Sequence, residues 1–338
     1  MLNNKLSRFM SGGLAVILLM ACTEEQAPSP GEAQVRHVRL ALNWVPEPEF
    51  GGFYAAEIRG LYARHQLEVE ILPGGPGSPV VQMVAAGQAE FGIASADEIL
   101  MARSRGMDLV ALFATYQTCP QGIMVHASRG LASLEQVFRA RETEGPLTVA
   151  LEPGLPYRQF LRQKYGFAAI REVPYAGGIA PFLADESFAQ QCFIFSEPLA
   201  ARREGADPQV FLVAEAGYNP YTGVVVTRWD LVHSELATVR AFVEAIHEGW
   251  AAYLEDPAPA NAVMGKLNRT MDPETFAAAA EAQKPLLESE ETEQAGLGLM
   301  TAARWRKLGE QLVALGLIAS SPPPEECFVD ASTSTMAR

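Results

Sequence analysis

A tryptophan held in a proline-stiffened loop makes a good stacking surface for a flat ligand. The segment Asn43-Trp44-Val45-Pro46-Glu47-Pro48 places one directly after an apolar, β-branched run at 38–42. Open α/β sheets bind ligands at that end of their strands, so Asn43 and Trp44 are candidate contacts, although Trp44 would serve equally well as core. Phe53 and Tyr54 follow at a helix start, and its hydroxyl makes Tyr54 the better second aromatic wall. The loop Gly74-Gly75-Pro76-Gly77-Ser78 can turn backbone N–H groups toward a ligand, which brings in Gly77 and Ser78; a plain capped turn is the alternative. Gly177-Gly178 makes a weaker offer of the same kind. Ser95 and Glu197 each follow a short apolar run, and each is placed either to reach a cleft or to cap the next helix. Gln117, Tyr175, Asn219 and Tyr221 lie in loops near the expected crossovers, where aromatic and amide groups can hold a polar ring.

Elements that could position these residues alternate along the chain, which predicts an α/β layered fold. Strands are expected at 38–42, 67–72, 91–94 and 109–113, with helices from about Gly52, from Pro79 with Ser78 as cap, and over 97–105. A second set follows His126: a helix capped by Ser133 with Gln136, strands at 147–150, 170–173, 192–195 and 210–213, and helices between them. The run 224–227 would return the chain to the first set. The last third is helical, with Leu236, Val239, Phe242, Val243, Ile246 and Trp250 at three-or-four spacing as a core stripe. The expected plan is two lobes, one discontinuous over 37–125 and 224–338 and the other over 126–223, with crossovers near 124–126 and 223–225. No internal sequence repeat marks the lobes as duplicates.

The N-terminus predicts export. Lys5 and Arg8 precede an apolar run at 12–21 that is too short to span a bilayer and ends on Cys22, as in a lipoprotein leader cleaved after residue 21. An ordinary secretory leader with an incidental Cys22 is the alternative. Residues 22–36, rich in Glu, Pro, Ser and Ala, read as a flexible tether. Cys119, Cys192 and Cys327 then have either one bridge among them or none.

Composition bounds the partners. The chain has 338 residues and a formal charge of -14, and removing the leader takes away two basic and no acidic residues, giving -16. That charge opposes nucleic-acid binding, and membrane contact is expected through the lipid. The five histidines are scattered without zinc-site spacing, and neither a Gly-x-Ser-x-Gly elbow nor a dinucleotide or P-loop fingerprint is present. No cofactor and no catalytic activity are expected.

The order of these motifs resembles the NMT1/THI5-like periplasmic solute-binding proteins. The resemblance rests on 42–46 with 52–56 and 60–62, then 77–87, 91–94, 173–175, Gly177-Gly178 and Ser196-Glu197-Pro198, and it covers roughly 38–281. It implies a type II periplasmic-binding-protein fold, two α/β lobes with a central ligand cleft. It also implies an ATP-driven importer, permease and ATPase, as partner, and ligands such as pyrimidine precursors of thiamin, riboflavin, small sulfonates or nitriles. Trp44 takes the stacking role by resemblance, with Tyr175 and Tyr221 placed by position. The family's usual histidine in the first motif is missing, since Phe50 follows Glu49, and the cysteine-rich motif of the yeast-type enzymes is absent. The resulting expectation is a monomeric, lipid-anchored solute-binding component of an importer; an envelope sensor on the same fold is the alternative, and a pyrimidine-synthesis enzyme a lesser one.

Overall fold

The computed structural model describes residues 35–139, 146–289, 292 and 296–329. The expected leader, Cys22 and most of the expected tether lie outside the described residues. Ten strands form two five-stranded sheets. In the first, β1 (Arg36–Ala41), β2 (Leu67–Leu72), β3 (Phe91–Ala94), β4 (Leu109–Tyr116) and β10 (Thr222–Arg228) take the order β2-β1-β3-β10-β4. In the second, β5 (Gln121–His126), β6 (Leu147–Leu151), β7 (Ile170–Pro174), β8 (Phe188–Phe193) and β9 (Pro208–Leu212) take the order β7-β6-β8-β5-β9. Three neighbouring strands are parallel in each sheet, and the fourth position is held by an antiparallel strand, β10 or β5. The two sheets therefore share one plan although the sequence carries no repeat. This is a bilobed type II periplasmic-binding-protein fold.

Each antiparallel strand enters its sheet from the other one: β4 hands the chain to β5, and β9 hands it to β10. The sheet-to-sheet passages are thus 117–120 and 213–221. Sequence reasoning had put them near 124–126 and 223–225, inside what are β5 and β10, and had assigned residues up to 125 to the first lobe. Every residue of β5 is buried, so the strand shows no polar alternation to betray it. Arg36, expected in the tether, is the first residue of β1.

Alternation places the cores. Val224 and Val226 pack into one cluster and Val225 into another, on opposite faces of β10. Over the first sheet, α1 (Gly51–Ile58) packs against α10 (Leu236–Glu255) through glycines: a Cβ on Gly52 would sit 2.3 Å from the Trp250 ring, and one on Gly249 would sit 2.3 Å from the Gly52 carbonyl oxygen. Trp250 is fully buried there, as its place in the apolar stripe predicts. The tail is tacked onto the first lobe by a bridge between Ala111 and Phe328.

Candidate functional site

A cavity of about 190 Å³ lies between the two sheets. From the first lobe it is lined by residues following β1 (Asn43, Trp44, Glu47, Glu49), β2 (Gly77, Ser78) and β3 (Ser95, Asp97, Glu98). From the second come residues following β6 (Glu152, Tyr157), β7 (Tyr175) and β8 (Ser196, Glu197). These are the carboxyl ends of the parallel strands, where the loops of an open sheet are free to hold a ligand.

The tryptophan loop is pinned by a close backbone approach. Gly74 donates its N–H to the Trp44 carbonyl at 3.0 Å, and a Cβ at Gly74 would lie 2.1 Å from the Leu42 carbonyl oxygen, so only glycine allows the two loops to meet. Trp44 is half-buried against the first core while also lining the cavity. Its side chain lies near the Glu47 carboxyl and favours the charged form. Glu47 in turn accepts from the Ser196 hydroxyl at 3.0 Å, across the cleft, and from Asn268 at 3.5 Å. Burial, and then the neighbouring Glu197, push the Glu47 carboxyl up to about 7.

Glu197 opens α8 (Glu197–Arg203) and is held on both oxygens, by the Tyr175 hydroxyl at 2.8 Å and by the Phe193 N–H at 2.9 Å. Burial raises its proton affinity and the two donors oppose that rise. Each oxygen keeps a further lone pair with which to accept from a ligand N–H. On the first lobe, Ser95 precedes α4 (Ala96–Ser104), and the Glu98 carboxylate reaches back to the Ser95 N–H at 2.9 Å. Ser95 is therefore cap and cavity residue at once. The Tyr218 hydroxyl donates to Asp97 at 2.6 Å and ties the second sheet-to-sheet passage to α4. The passages are tied to each other where Asn219 accepts from the Cys119 N–H at 2.8 Å.

Of the residues expected from sequence, the cavity gathers Asn43, Trp44, Gly77, Ser78, Ser95, Tyr175 and Glu197. Five others lie elsewhere. Tyr54 is 2% exposed in the first core. Gln117 spends its amide on the Leu299 carbonyl at 3.0 Å, and Asn219 is the strut just described. Tyr221 is buried beneath the Arg304 guanidinium, 3.9 Å from its ring centre, and accepts from the Thr301 N–H. Gly177 turns with φ of +87° outside the cavity. Ser78 does not cap the following helix; its hydroxyl accepts from the Gly75 N–H at 2.8 Å and closes the glycine loop on itself. Cys119, Cys192 and Cys327 are free and buried.

Sequence reasoning passed over Glu49, Asp97, Glu98 and Glu152, which also line the cavity. Glu49 lies between the two parts of the first motif, next to Phe50, where the family's usual histidine is missing. Asp97 and Glu98 looked like ordinary first-turn helix acids.

Two α/β lobes closing on an interlobe cavity define a protein of the type II periplasmic-binding-protein class. The family pattern described as NMT1/THI5 like matches residues 47–139 and 161–260, more than half of the chain. The chain belongs to that family. It is 25% identical to the riboflavin-binding protein RibY of Chloroflexus aurantiacus over 96% of this chain and 97% of that one. It is 23% identical to the formylaminopyrimidine-binding protein of Halalkalibacterium halodurans over 93% and 96%. Among solved structures it resembles the periplasmic aliphatic sulphonate binding protein SsuA of Escherichia coli, with a TM-score of 0.66 and 12% identity, over 90% of this chain and 95% of that one.

Proposed function

We propose that this protein is the solute-binding component of an ATP-driven importer and that it captures a single-ring amino-heteroaromatic of the pyrimidine kind. The observation that carries this reading is Glu197, fixed by Tyr175 and the Phe193 N–H in a cavity whose other lobe offers Trp44. A carboxylate beside an aromatic face suits a ring that bears amino N–H groups. Drug-sized ligands occupy about 300 to 1,000 Å³, so a cavity of about 190 Å³ favours one ring over a three-ring flavin. A sulfonate fits poorly: among the described residues no lysine, arginine or histidine lines the cavity, and an added anion about 5 Å from one carboxylate meets roughly 3 kcal/mol of repulsion at an effective dielectric of 20. Among the two binding relatives, the formylaminopyrimidine binder supports the same choice.

The protein is a non-catalytic receptor in this reading, exported, tethered through lipid on Cys22 and delivering its ligand as a monomer to a permease and ATPase. Calorimetry with an aminopyrimidine, a riboflavin and an alkanesulfonate series tests the ligand: the aminopyrimidine should bind in the micromolar range or tighter, and binding should collapse in Glu197→Gln. Tight binding of the sulfonate alone would sink the proposal. Incorporation of labelled fatty acid that disappears in Cys22→Ala tests the anchor.

A further inference from the structure

Six carboxylates line the cavity: Glu47, Glu49, Asp97, Glu98, Glu152 and Glu197. None of them forms an ion pair among the described residues. Five accept at least one hydrogen bond from the protein: Glu47 from Ser196, Asp97 from Tyr218, Glu98 from Ser95, Glu152 from Gln191 and Glu197 from Tyr175. Glu49 is different. It is 7% exposed, it lines the cavity, and it accepts no hydrogen bond among the described residues. A buried carboxylate without a donor is costly to keep unless something brings the donor to it.

Among the described residues no lysine, arginine or histidine lines the cavity. Arg158 pairs with Glu172, and Arg304 lies over Tyr221 and donates to the Asn219 carbonyl at 3.2 Å. A positively charged ligand is therefore the natural complement of this cavity. We propose that it selects a cation: a single ring carrying a protonated amine or amidine whose N–H groups are received by Glu49 and the carboxylates beside it. Glu47 and Glu197 lie close enough to Glu49 to raise its proton affinity further, so a ligand cation favours the charged form of three acids at once. The inference rests on the single-ring reading above and adds the charge.

Matched pairs that differ only by an ammonium in place of a hydroxyl test it by calorimetry at neutral pH. The pairs are aminomethyl- and hydroxymethyl-substituted methylaminopyrimidine, pyridylmethylamine and pyridylmethanol, and benzylamine and benzyl alcohol. The amine of the pyrimidine pair should bind at least about tenfold tighter than its alcohol, and Glu49→Gln should cut that preference to about threefold or less. A pyrimidine pair that binds without favouring the amine overturns the charge inference and leaves the heteroaromatic reading standing. Amine preference confined to the other pairs, with no pyrimidine binding, upholds the charge and overturns the aminopyrimidine. If no pair favours its amine, bound or not, the inference is wrong. An unchanged preference in Glu49→Gln would mean that Glu49 is a neutral acid and not the receiving group. Should that variant fold poorly by circular dichroism, Glu47→Gln, the neighbouring carboxylate, is read in its place with a loss of preference in the same direction.

Discussion

Trp44 has two duties that a single substitution separates. Its ring packs on the first core and also lines the cavity. Truncating a buried aromatic contact of this kind costs about 2 kcal/mol of binding, so Trp44→Ala should raise the dissociation constant roughly thirtyfold. Calorimetry on a variant with a normal circular-dichroism spectrum measures this, and an unchanged constant would return Trp44 to the core alone. Glu47 carries a second prediction. An unfolded glutamate loses its proton near 4.5, whereas the buried Glu47 holds its proton to about 7. Between those values the folded state binds more protons than the unfolded one, so stability of the ligand-free protein falls as pH rises, by up to about 3 kcal/mol from this group, and levels off above about pH 7. Glu49, Glu98 and Glu197 are raised by burial as well and push the same way. Urea denaturation at about pH 5 and about pH 7.5 should therefore show the protein more stable in acid. Glu47→Gln should reduce the difference, and a profile that rises with pH would contradict the buried-acid picture.

At the scale of elements, glycines show where geometry decides the sign of a substitution. Gly249, in α10, faces α1: an added Cβ would lie 2.3 Å from the Gly52 carbonyl oxygen and 2.7 Å from the Ala56 Cβ. Gly265, in α11 (Ala258–Leu267), meets nothing closer than Phe276 at 3.6 Å, an ordinary contact. Alanine gains about 0.5 to 1 kcal/mol over glycine inside a helix, and overpacking a close contact costs about 1 to 3 kcal/mol. Gly265→Ala should stabilise by the first amount. Gly249→Ala should destabilise despite it, because the obstructing atom is backbone and cannot rotate away. Denaturant midpoints of the two variants that moved in the same direction would show that the α1–α10 approach is looser than described. Most elements were legible in the sequence for local reasons: the stripe of α10 and the cap before α5 (Leu134–Phe138), where Ser133 accepts from the Gln136 N–H at 3.4 Å. The miss was β5, whose burial on both faces removes the alternation that marks a half-buried strand. The site was legible where a residue follows a strand directly, as with Trp44, Ser95 and Glu197. It was not legible for Tyr221 or Asn219, whose partners Thr301 and Cys119 are fixed only by the tertiary fold.

At the scale of the whole molecule, closure depends on contacts that bridge the lobes away from the ligand. We infer that the passages at 117–120 and 213–221 bend as the lobes close, since among the described residues they alone carry the chain from sheet to sheet. Besides the Ser196–Glu47 bond and the stacking of Tyr116 on Phe195 at 5.4 Å, Arg203 at the end of α8 reaches across, pairing with Asp272 at the start of α12 (Pro273–Leu287) and lying 3.3 Å from Glu274. Arg203 and Asp272 are each more than a third exposed, so water and salt screen them, and the pair contributes on the order of 0.2 to 1 kcal/mol to the closed form. A ligand that binds only the closed form loses affinity in proportion to that form's population. Arg203→Ala should therefore weaken binding by up to about fivefold without touching any cavity residue. The loss should fall mainly on the dissociation rate, because an opened cleft releases what it holds. It should also shrink at high salt, where the wild-type pair is already screened. Scattering gives the structural counterpart: the ligand-free variant should have a larger radius of gyration than the ligand-free wild type, and saturating ligand should bring both to the same value. Equal affinities and equal radii in the two ligand-free proteins would show that Arg203 has no part in closure.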